Sequence, residues 1–131
     1  MLQALKEKKI KIGLISNCYS EEAVLIRESQ LFPYFDETCL SYELGMKKPD
    51  PGIFLKCMEG LGVRAGECLY IGDGGSHELE ASAAICARKY TGPPYCVIKV
   101  SYISKITAFI INISFLVKLL SLTTTLRGKE I

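Results

Sequence analysis

The chain contains no tryptophan, a single histidine and no Cys-x-x-Cys pair, and each absence narrows the kinds of site that it can hold. Its six cysteines are spaced widely and irregularly, which fits neither a zinc site nor a disulfide framework. Reduced and mostly buried thiols are therefore expected, as in a cytoplasmic protein. The lysine-rich start, residues 1–11, has no apolar core behind it and does not predict a signal peptide.

An excess of charge of one sign is also missing. The formal net charge is only +2 at pH 7, whereas a dedicated nucleic-acid-binding domain carries a strongly basic surface. We therefore expect no nucleic-acid partner. With 131 residues, of which 49% are hydrophobic, the chain corresponds to at most one globular domain with a core of its own.

Apolar strands alternate with amphipathic helices along the first two thirds of the chain. The connections are short, and this order favours a parallel sheet with right-handed crossovers. Ser20 and Asp50 are expected to cap helices, and Asp50 is followed by a proline at the first helical position. Strands are predicted at residues 10–16, 38–42 and 67–72, helices at residues 2–8, 20–30, 51–60 and 77–87, and a loop at residues 43–48.

Residues 69–78 form the segment most typical of a ligand site, because an apolar strand, a glycine turn and a new helix follow one another there. Asp73 comes directly after the strand, and Glu78 lies in the first turn of the helix, which Ser76 is expected to cap. In open α/β sheets, ligands bind at the edge where the carboxyl ends of the strands lie. Two acids across a glycine turn suit Mg²⁺, although an ordinary strand-to-helix turn has the same composition.

Three segments, in order, resemble motifs of the haloacid dehalogenase-like (HAD) hydrolase superfamily, whose members are mostly Mg²⁺-dependent phosphatases. Residues 14–17 resemble the second motif, a buried strand that ends in Ser or Thr. Residues 48–54 resemble the third, a lysine followed by proline and a helix, and residues 70–79 resemble the acidic fourth motif. The resemblance covers residues 10–84 and implies a three-layer, Rossmann-like α/β fold with helices flanking a parallel sheet.

The resemblance implies roles for individual residues. Ser16 would bind a phosphate oxygen, helped by the backbone of Asn17. Lys48 would be both a phosphate-binding and a catalytic residue, because it would neutralise the phosphate and the attacking group together.

The same resemblance implies a metal site. Asp73 would hold Mg²⁺ together with a second acid, which in many relatives stands four residues later. Here that position is His77, and imidazole is a poor ligand for Mg²⁺. Glu78 is therefore the expected second acid, whereas His77 is expected to face solvent.

One motif of the family is missing. The first motif, Asp-x-Asp after a strand, supplies the nucleophile, and the only aspartates here are Asp36, Asp50 and Asp73, none in that pattern. The resemblance therefore implies a core incomplete at its N-terminus.

The family-level function that the resemblance implies is hydrolysis of a small phosphorylated substrate, with little or no turnover by this chain alone. The alternative is a noncatalytic module that binds phosphate or Mg²⁺, or a subunit that a partner completes. A nucleotide-binding Rossmann domain is disfavoured, because the turn lacks the Gly-x-Gly-x-x-Gly spacing.

The missing motif also implies a structural gap. In relatives its strand lies between the strands that correspond here to residues 10–16 and 67–72, and its loss leaves two unpaired edges. A second copy in a homo-oligomer, another partner chain, the missing N-terminal half or the chain's own tail is expected to fill that position.

The tail differs in composition from the rest of the chain. We expect a partial HAD-like core at residues 1–92 and a divergent apolar tail at residues 93–131, with one strand within residues 95–103. The apolar run at residues 106–117 predicts a buried or interfacial helix, unless the tail is unselected sequence. Lysines bracket this run, which is too short for an ordinary membrane span of about 20 residues.

Overall fold

Strands and helices alternate in the computed structural model, which describes residues 2–72, 77–85, 88–89 and 108–112. Two short 3₁₀ turns, Phe32–Tyr34 and Ala65–Glu67, connect longer elements. In chain order the elements are α1 Leu2–Glu7, β1 Lys11–Ser16, α2 Ser20–Glu28, β2 Glu37–Leu40, α3 Ser41–Leu44, α4 Pro51–Leu61, β3 Cys68–Ile71, α5 Glu78–Ile85, β4 Arg88–Lys89 and β5 Ala108–Asn112.

The described strands form one parallel sheet in the order β2-β1-β5-β3-β4. At its centre, Ile110 of β5 is paired with Gly13 of β1 on one side and with Tyr70 of β3 on the other. Helices cover the sheet, as expected for parallel strands joined by crossover connections. The predicted α/β class with a parallel sheet is confirmed.

The strand at the centre of the sheet corrects a prediction. A helix was predicted at residues 106–117, but residues 108–112 form β5. All five side chains of β5 are buried, and a short apolar run of this kind suits a central strand as well as a buried helix. Its pairing on both sides decides for the strand.

The tail itself occupies the gap that the missing motif implied, so in this structure neither neighbouring edge is left open to a partner chain. Within the residues expected to form the tail, β5 pairs with strands of the core sheet on both sides, and the division at residue 92 stays a prediction. The strand predicted within residues 95–103 lies outside the described residues.

Apolar clusters cover both faces of the sheet. On one face α4 contributes Phe54 and Cys57, which pack against the central strands. On the other face α1 packs Leu2 and Leu5 against Ile12 and neighbouring side chains. This arrangement leaves the ends of the strands as the place where polar side chains from several elements can meet.

Some predicted element ends shift in the structure. Ser20 is the first residue of α2 and does not cap it; Tyr19 precedes the helix, and its main-chain N–H donates to Glu22 Oε2 at 2.8 Å. The second strand ends at Leu40, and part of the predicted loop 43–48 belongs to α3. The predicted cap of α4 is confirmed, because Asp50 Oδ1 accepts the Gly52 N–H at 2.8 Å.

The cysteines of the described residues are free thiols. Cys39, Cys57 and Cys68 are buried in the cluster beneath α4. The hydrogen bond with the Cys39 thiol, together with burial, raises the pKa of Cys57, so this thiol stays protonated. Cys18 is the partly exposed member of the four.

Candidate functional site

A buried ion pair joins two of the predicted site residues. Lys48 Nζ donates to Glu78 Oε2 at 2.8 Å, and the two side chains are 4% and 0% exposed. Lys48 lies in the segment before α4, and Glu78 is the first residue of α5. A buried charge is stable only when it is paired and hydrogen-bonded, so each residue of the pair depends on the other.

Two further side chains donate to Glu78. The Tyr70 hydroxyl, from β3, lies 2.8 Å from Oε2. Asn112 Nδ2, at the end of β5, lies 2.7 Å from Oε2 and 2.9 Å from Oε1. We call Lys48, Glu78, Tyr70 and Asn112 the buried polar network. The Glu78 carboxylate therefore accepts hydrogen bonds from three side chains in the protein interior.

A glycine makes room for this carboxylate. A Cβ atom placed on Gly72 would lie 2.9 Å from Cε1 of Tyr70 and would overlap Glu78 Oε1. Only glycine therefore allows the chain after β3 to pass so close to the buried polar network.

The side chain of Asn17 fixes the backbone at Lys48. Asn17 Nδ2 donates to the Lys48 carbonyl oxygen at 3.0 Å, and the Lys48 N–H donates to Asn17 Oδ1 at 2.8 Å. This pair of bonds ties the end of β1 to the segment before α4. Ser16, the last residue of β1, is buried beside it.

The structure thus brings most of the predicted site residues to one edge of the sheet. Ser16 ends β1 and Asn17 contacts Lys48, which contacts Glu78. Asp73 lies outside the described residues, as does Ser76, the predicted helix cap.

Sequence reasoning did not single out Tyr70 or Asn112. The signal for Asn112 was present, because an apolar run that ends in a polar residue is the same pattern that pointed to Ser16. In both strands the polar residue marks the carboxyl end.

The other described aspartates lie away from this network. Asp36 Oδ2 accepts the Ile12 N–H at 2.7 Å and its Oδ1 accepts from Lys6 at 2.6 Å, near the start of β1. Burial raises the pKa of Asp36, but these hydrogen bonds outweigh it and hold the pKa below its usual value. Asp50 caps α4, and His77 is exposed with a φ of 52°, as the solvent-facing prediction expected.

A family model described as haloacid dehalogenase-like hydrolase matches residues 1–85. The chain belongs to this family. The match includes all three motif-like segments, and the predicted family is confirmed.

Relatives of this HAD-family chain include three proteins from a fly, a bacterium and an archaeon. It is 42% identical over 73 residues to the rhythmically expressed gene 2 protein of Drosophila melanogaster, a match that covers 53% of this chain and 28% of the relative. It is 39% identical over 99 residues to a putative pyrophosphatase, PpaX, of Clostridium perfringens, a match that covers 72% of this chain and 46% of the relative. It is 34% identical over 74 residues to a glyceraldehyde 3-phosphate phosphatase of Methanopyrus kandleri, a match that covers 55% of this chain and 31% of the relative. The chain therefore spans less than half the length of these relatives.

A solved structure supports the HAD fold. The crystal structure of a HAD phosphatase from Thermococcus onnurineus matches 91% of this chain and 54% of its own, with a TM-score of 0.64 and 23% sequence identity. At this identity the likeness shows the fold alone.

Magnesium is the metal that the family resemblance implies at Asp73 and Glu78. Glu78 offers hard carboxylate oxygens, which suit Mg²⁺. These oxygens already accept from three side chains, so a contact through water fits Glu78 better than direct coordination. Within residues 2–72, 77–85, 88–89 and 108–112, no three His, Cys, Asp or Glu side chains gather into a metal site.

No helix in the described part of the chain combines the length and the apolar character that crossing a bilayer requires.

Proposed function

We propose that this HAD-family chain binds small phosphate monoesters at Ser16, Asn17 and Lys48, and that it hydrolyses them slowly or not at all by itself. The observation that carries this proposal is the buried polar network at the strand ends, with Lys48 beside Glu78 and Asn112. The phosphatase names of two relatives support the substrate class.

The chemistry of these residues suits an anion. A phosphate ester carries charge on its nonbridging oxygens, which a lysine ammonium neutralises and a serine hydroxyl can hydrogen-bond. Lys48 is held in position for this role, because Asn17 fixes its backbone and Glu78 accepts a hydrogen bond from its ammonium group. On this proposal the phosphate would share the ammonium with Glu78.

Low turnover follows from the side chain at the end of the central strand. Covalent phosphoryl transfer needs an attacking group such as a carboxylate. The central strand ends in Asn112, whose amide is not a nucleophile, and Asp36 and Asp50 serve other parts of the fold. This arrangement favours the binding role over the hydrolytic one.

We also propose that Mg²⁺ binds at this edge of the sheet, held by Asp73 and, through water, by Glu78. When bound, it would neutralise negative charge on the phosphate oxygens. The cytoplasmic location is likewise a proposal, supported by the free thiols among the described cysteines.

Two measurements on the purified chain test these proposals. In calorimetric titration with inorganic phosphate, Ser16→Ala should weaken binding about tenfold, a loss of about 1.4 kcal/mol, while Ser20→Ala should leave binding unchanged. Hydrolysis of an aryl phosphate, with and without Mg²⁺, should not exceed that of Asp73→Asn. Mg²⁺-dependent turnover that Asp73→Asn abolishes would refute the low-turnover proposal, and the absence of phosphate binding would refute the binding proposal.

A further inference from the structure

Asn112 ends the central strand on the face of the sheet that α4 covers. Side chains alternate between the two faces along a strand, and Ala108 and Ile110 of β5 belong to the apolar cluster beneath α4. Asn112 is the next position on that face, yet its side chain is an amide, and the residue is only 4% exposed. A buried amide costs free energy unless it is hydrogen-bonded, so its hydrogen bonds indicate its role.

The register of the sheet places Asn112 beside the proposed phosphate site. On one side Asn112 is paired with Ile15 of β1, the residue before Ser16. On the other side the register with β3 places it level with Gly72, which leaves room for Glu78. The central strand therefore brings one polar side chain to the edge of the sheet where β1 ends in Ser16.

A continuous set of hydrogen bonds leads from Asn112 to the lysine of the phosphate site. Asn112 Nδ2 lies 2.7 Å from Glu78 Oε2 and 2.9 Å from Oε1, so it contacts both oxygens of the carboxylate. Oε2 also accepts from Lys48 Nζ and from the Tyr70 hydroxyl, each at 2.8 Å. The amide thus helps to fix the carboxylate to which the lysine ammonium is bonded.

This arrangement anchors Lys48 at both ends. Asn17 bonds its backbone, and Glu78 bonds its ammonium. A lysine side chain has many rotamers, and fixing it costs conformational entropy. A side chain that is fixed before the ligand arrives lowers the cost of binding. Without the amide of Asn112, the carboxylate and the ammonium that it holds would lose part of this fixation.

Within the proposed phosphate-binding function, on which this inference rests, we propose that Asn112 is a positioning residue. Through Glu78 it holds the Lys48 ammonium in place for a phosphate oxygen. Because Asn112 reaches Glu78 only when β5 lies in the sheet, phosphate affinity depends on the presence of β5 at the centre of the sheet. By thermodynamic reciprocity, bound phosphate stabilises β5 in that position.

The test measures the phosphate affinity of the whole chain by calorimetric titration. Asn112→Leu has a similar size but no donor, and it should weaken the binding of inorganic phosphate about tenfold. Phe109→Leu is the matched control, because it alters the packing of the same strand on the opposite face. It should lower the midpoint temperature of unfolding and leave phosphate affinity unchanged. Thermal unfolding of every variant shows which of them are folded during the titration.

An exchange of two side chains separates positioning from packing. Asn112→Asp keeps the shape but places a second carboxylate against Glu78, so phosphate binding should weaken at least as much as in Asn112→Leu. Adding Glu78→Gln restores one amide and one carboxylate that face each other, and the glutamine oxygen still accepts from Lys48 and Tyr70. The double variant should therefore recover most of the affinity.

Acetylation of lysines gives a second readout. Lys48 Nζ is buried and hydrogen-bonded, so acetic anhydride should label it slowly. Asn112→Leu should speed this labelling severalfold, whereas Phe109→Leu should not. Peptide mass spectrometry measures the labelling, and the exposed Lys56 is the internal reference.

The outcomes distinguish this inference from the proposed function. Weaker phosphate binding and faster labelling in Asn112→Leu, with recovery of binding in the double variant, support the inference. It is overturned if Asn112→Leu binds phosphate as tightly as the original chain, if Phe109→Leu weakens binding equally, or if the exchange restores nothing. If Asn112→Leu does not fold, the exchange decides alone. If the original chain does not bind phosphate, the proposed function fails as well.

Discussion

At the scale of single residues, the buried polar network is the most demanding arrangement in the chain. Glu78 is fully buried and Lys48 nearly so, and a buried ion is tolerated only when its hydrogen bonds are complete. Among the described residues every buried side-chain nitrogen or oxygen has a hydrogen-bond partner, which is the condition that such a network requires. Removing one member of the Lys48–Glu78 pair should therefore destabilise the fold more than removing both members.

Lys48→Met should reduce the free energy of unfolding by about 3–5 kcal/mol, because it leaves the Glu78 carboxylate buried without its cation. Adding Glu78→Gln should restore part of this stability, since the unpaired charge is then gone. Urea denaturation of the two single variants and the double variant measures the coupling. Strictly additive losses would show that the two side chains do not depend on each other, and Lys56→Met, at an exposed position, should change little.

Asp36 gives a prediction for the dependence of stability on pH. Its folded pKa is lowered, so its contribution is present above the unfolded pKa of about 3.9 and is lost as the pH falls through the folded pKa. Asp36→Asn should lower the stability by about 1–2 kcal/mol at pH 7, and this difference should shrink at an acidic pH below the unfolded pKa of the carboxyl group. Urea denaturation at both pH values is the measurement. A difference of equal size at both would exclude the carboxylate as its cause.

The matched comparison for Asp36 is Glu43, which pairs with Arg27 on the surface. Exposed pairs contribute little, so Glu43→Gln should change the stability by less than about 1 kcal/mol. A large effect there would mean that the surface pair, too, supports the fold.

At the scale of elements, the close approach of α4 to β1 has a local cause. A Cβ atom on Gly13 would lie 2.6 Å from Cys57 Sγ and 3.0 Å from Leu61 Cδ1. Such distances are too short for ordinary contacts, so the helix can lie this close to the sheet only because residue 13 has no side chain.

Gly13→Ala should therefore destabilise the chain by about 1–3 kcal/mol through overpacking. Cys57→Ala removes the nearer sulfur atom, so the double variant should recover part of the loss. Thermal unfolding of the single and double variants tests the contact. Gly66→Ala is the control, because a Cβ atom there meets nothing within 4 Å; an equal effect at both glycines would contradict the packing explanation.

Local signals predicted the elements of residues 2–85 well. The Asp50-Pro51 pair marked the start of α4, and the apolar run before Ser16 marked β1, since caps and hydrophobic runs are encoded by neighbouring residues. The strand β5 could not be recognised in this way. The run around Ile110 suits a strand or a helix, and its pairing partners lie far away in the sequence.

The sequence likewise predicts only part of the candidate site. Lys48 and Glu78 were each predicted from a motif, but their direct contact depends on how α4 and α5 pack, which no short segment encodes. Asn112 was missed because its role depends on the position of β5.

At the scale of the whole molecule, β5 holds the two halves of the described sheet together. Lys11 pairs with Ala108 and Cys68 pairs with the same residue from the other side, so β5 is the one described strand that contacts both β1 and β3. Without it, two apolar strand edges would lie open, and open edges pair with other chains and aggregate. Contacts this distant in sequence also form slowly, because long loops must close first.

Replacing residues 108–112 by a Gly-Ser linker of equal length should therefore abolish cooperative unfolding and promote aggregation. A synthetic peptide of residues 106–114, with terminal lysines for solubility, should bind this variant and restore a cooperative transition, because it offers the same buried side chains and backbone hydrogen bonds to both edges. Circular dichroism and light scattering follow the recovery. The same peptide carrying Ile110→Asp should fail, since a charge would enter the centre of the sheet. If the linker variant unfolds as cooperatively as the original chain, β5 does not hold the sheet together, and the position of Asn112 beside Glu78 loses its structural basis.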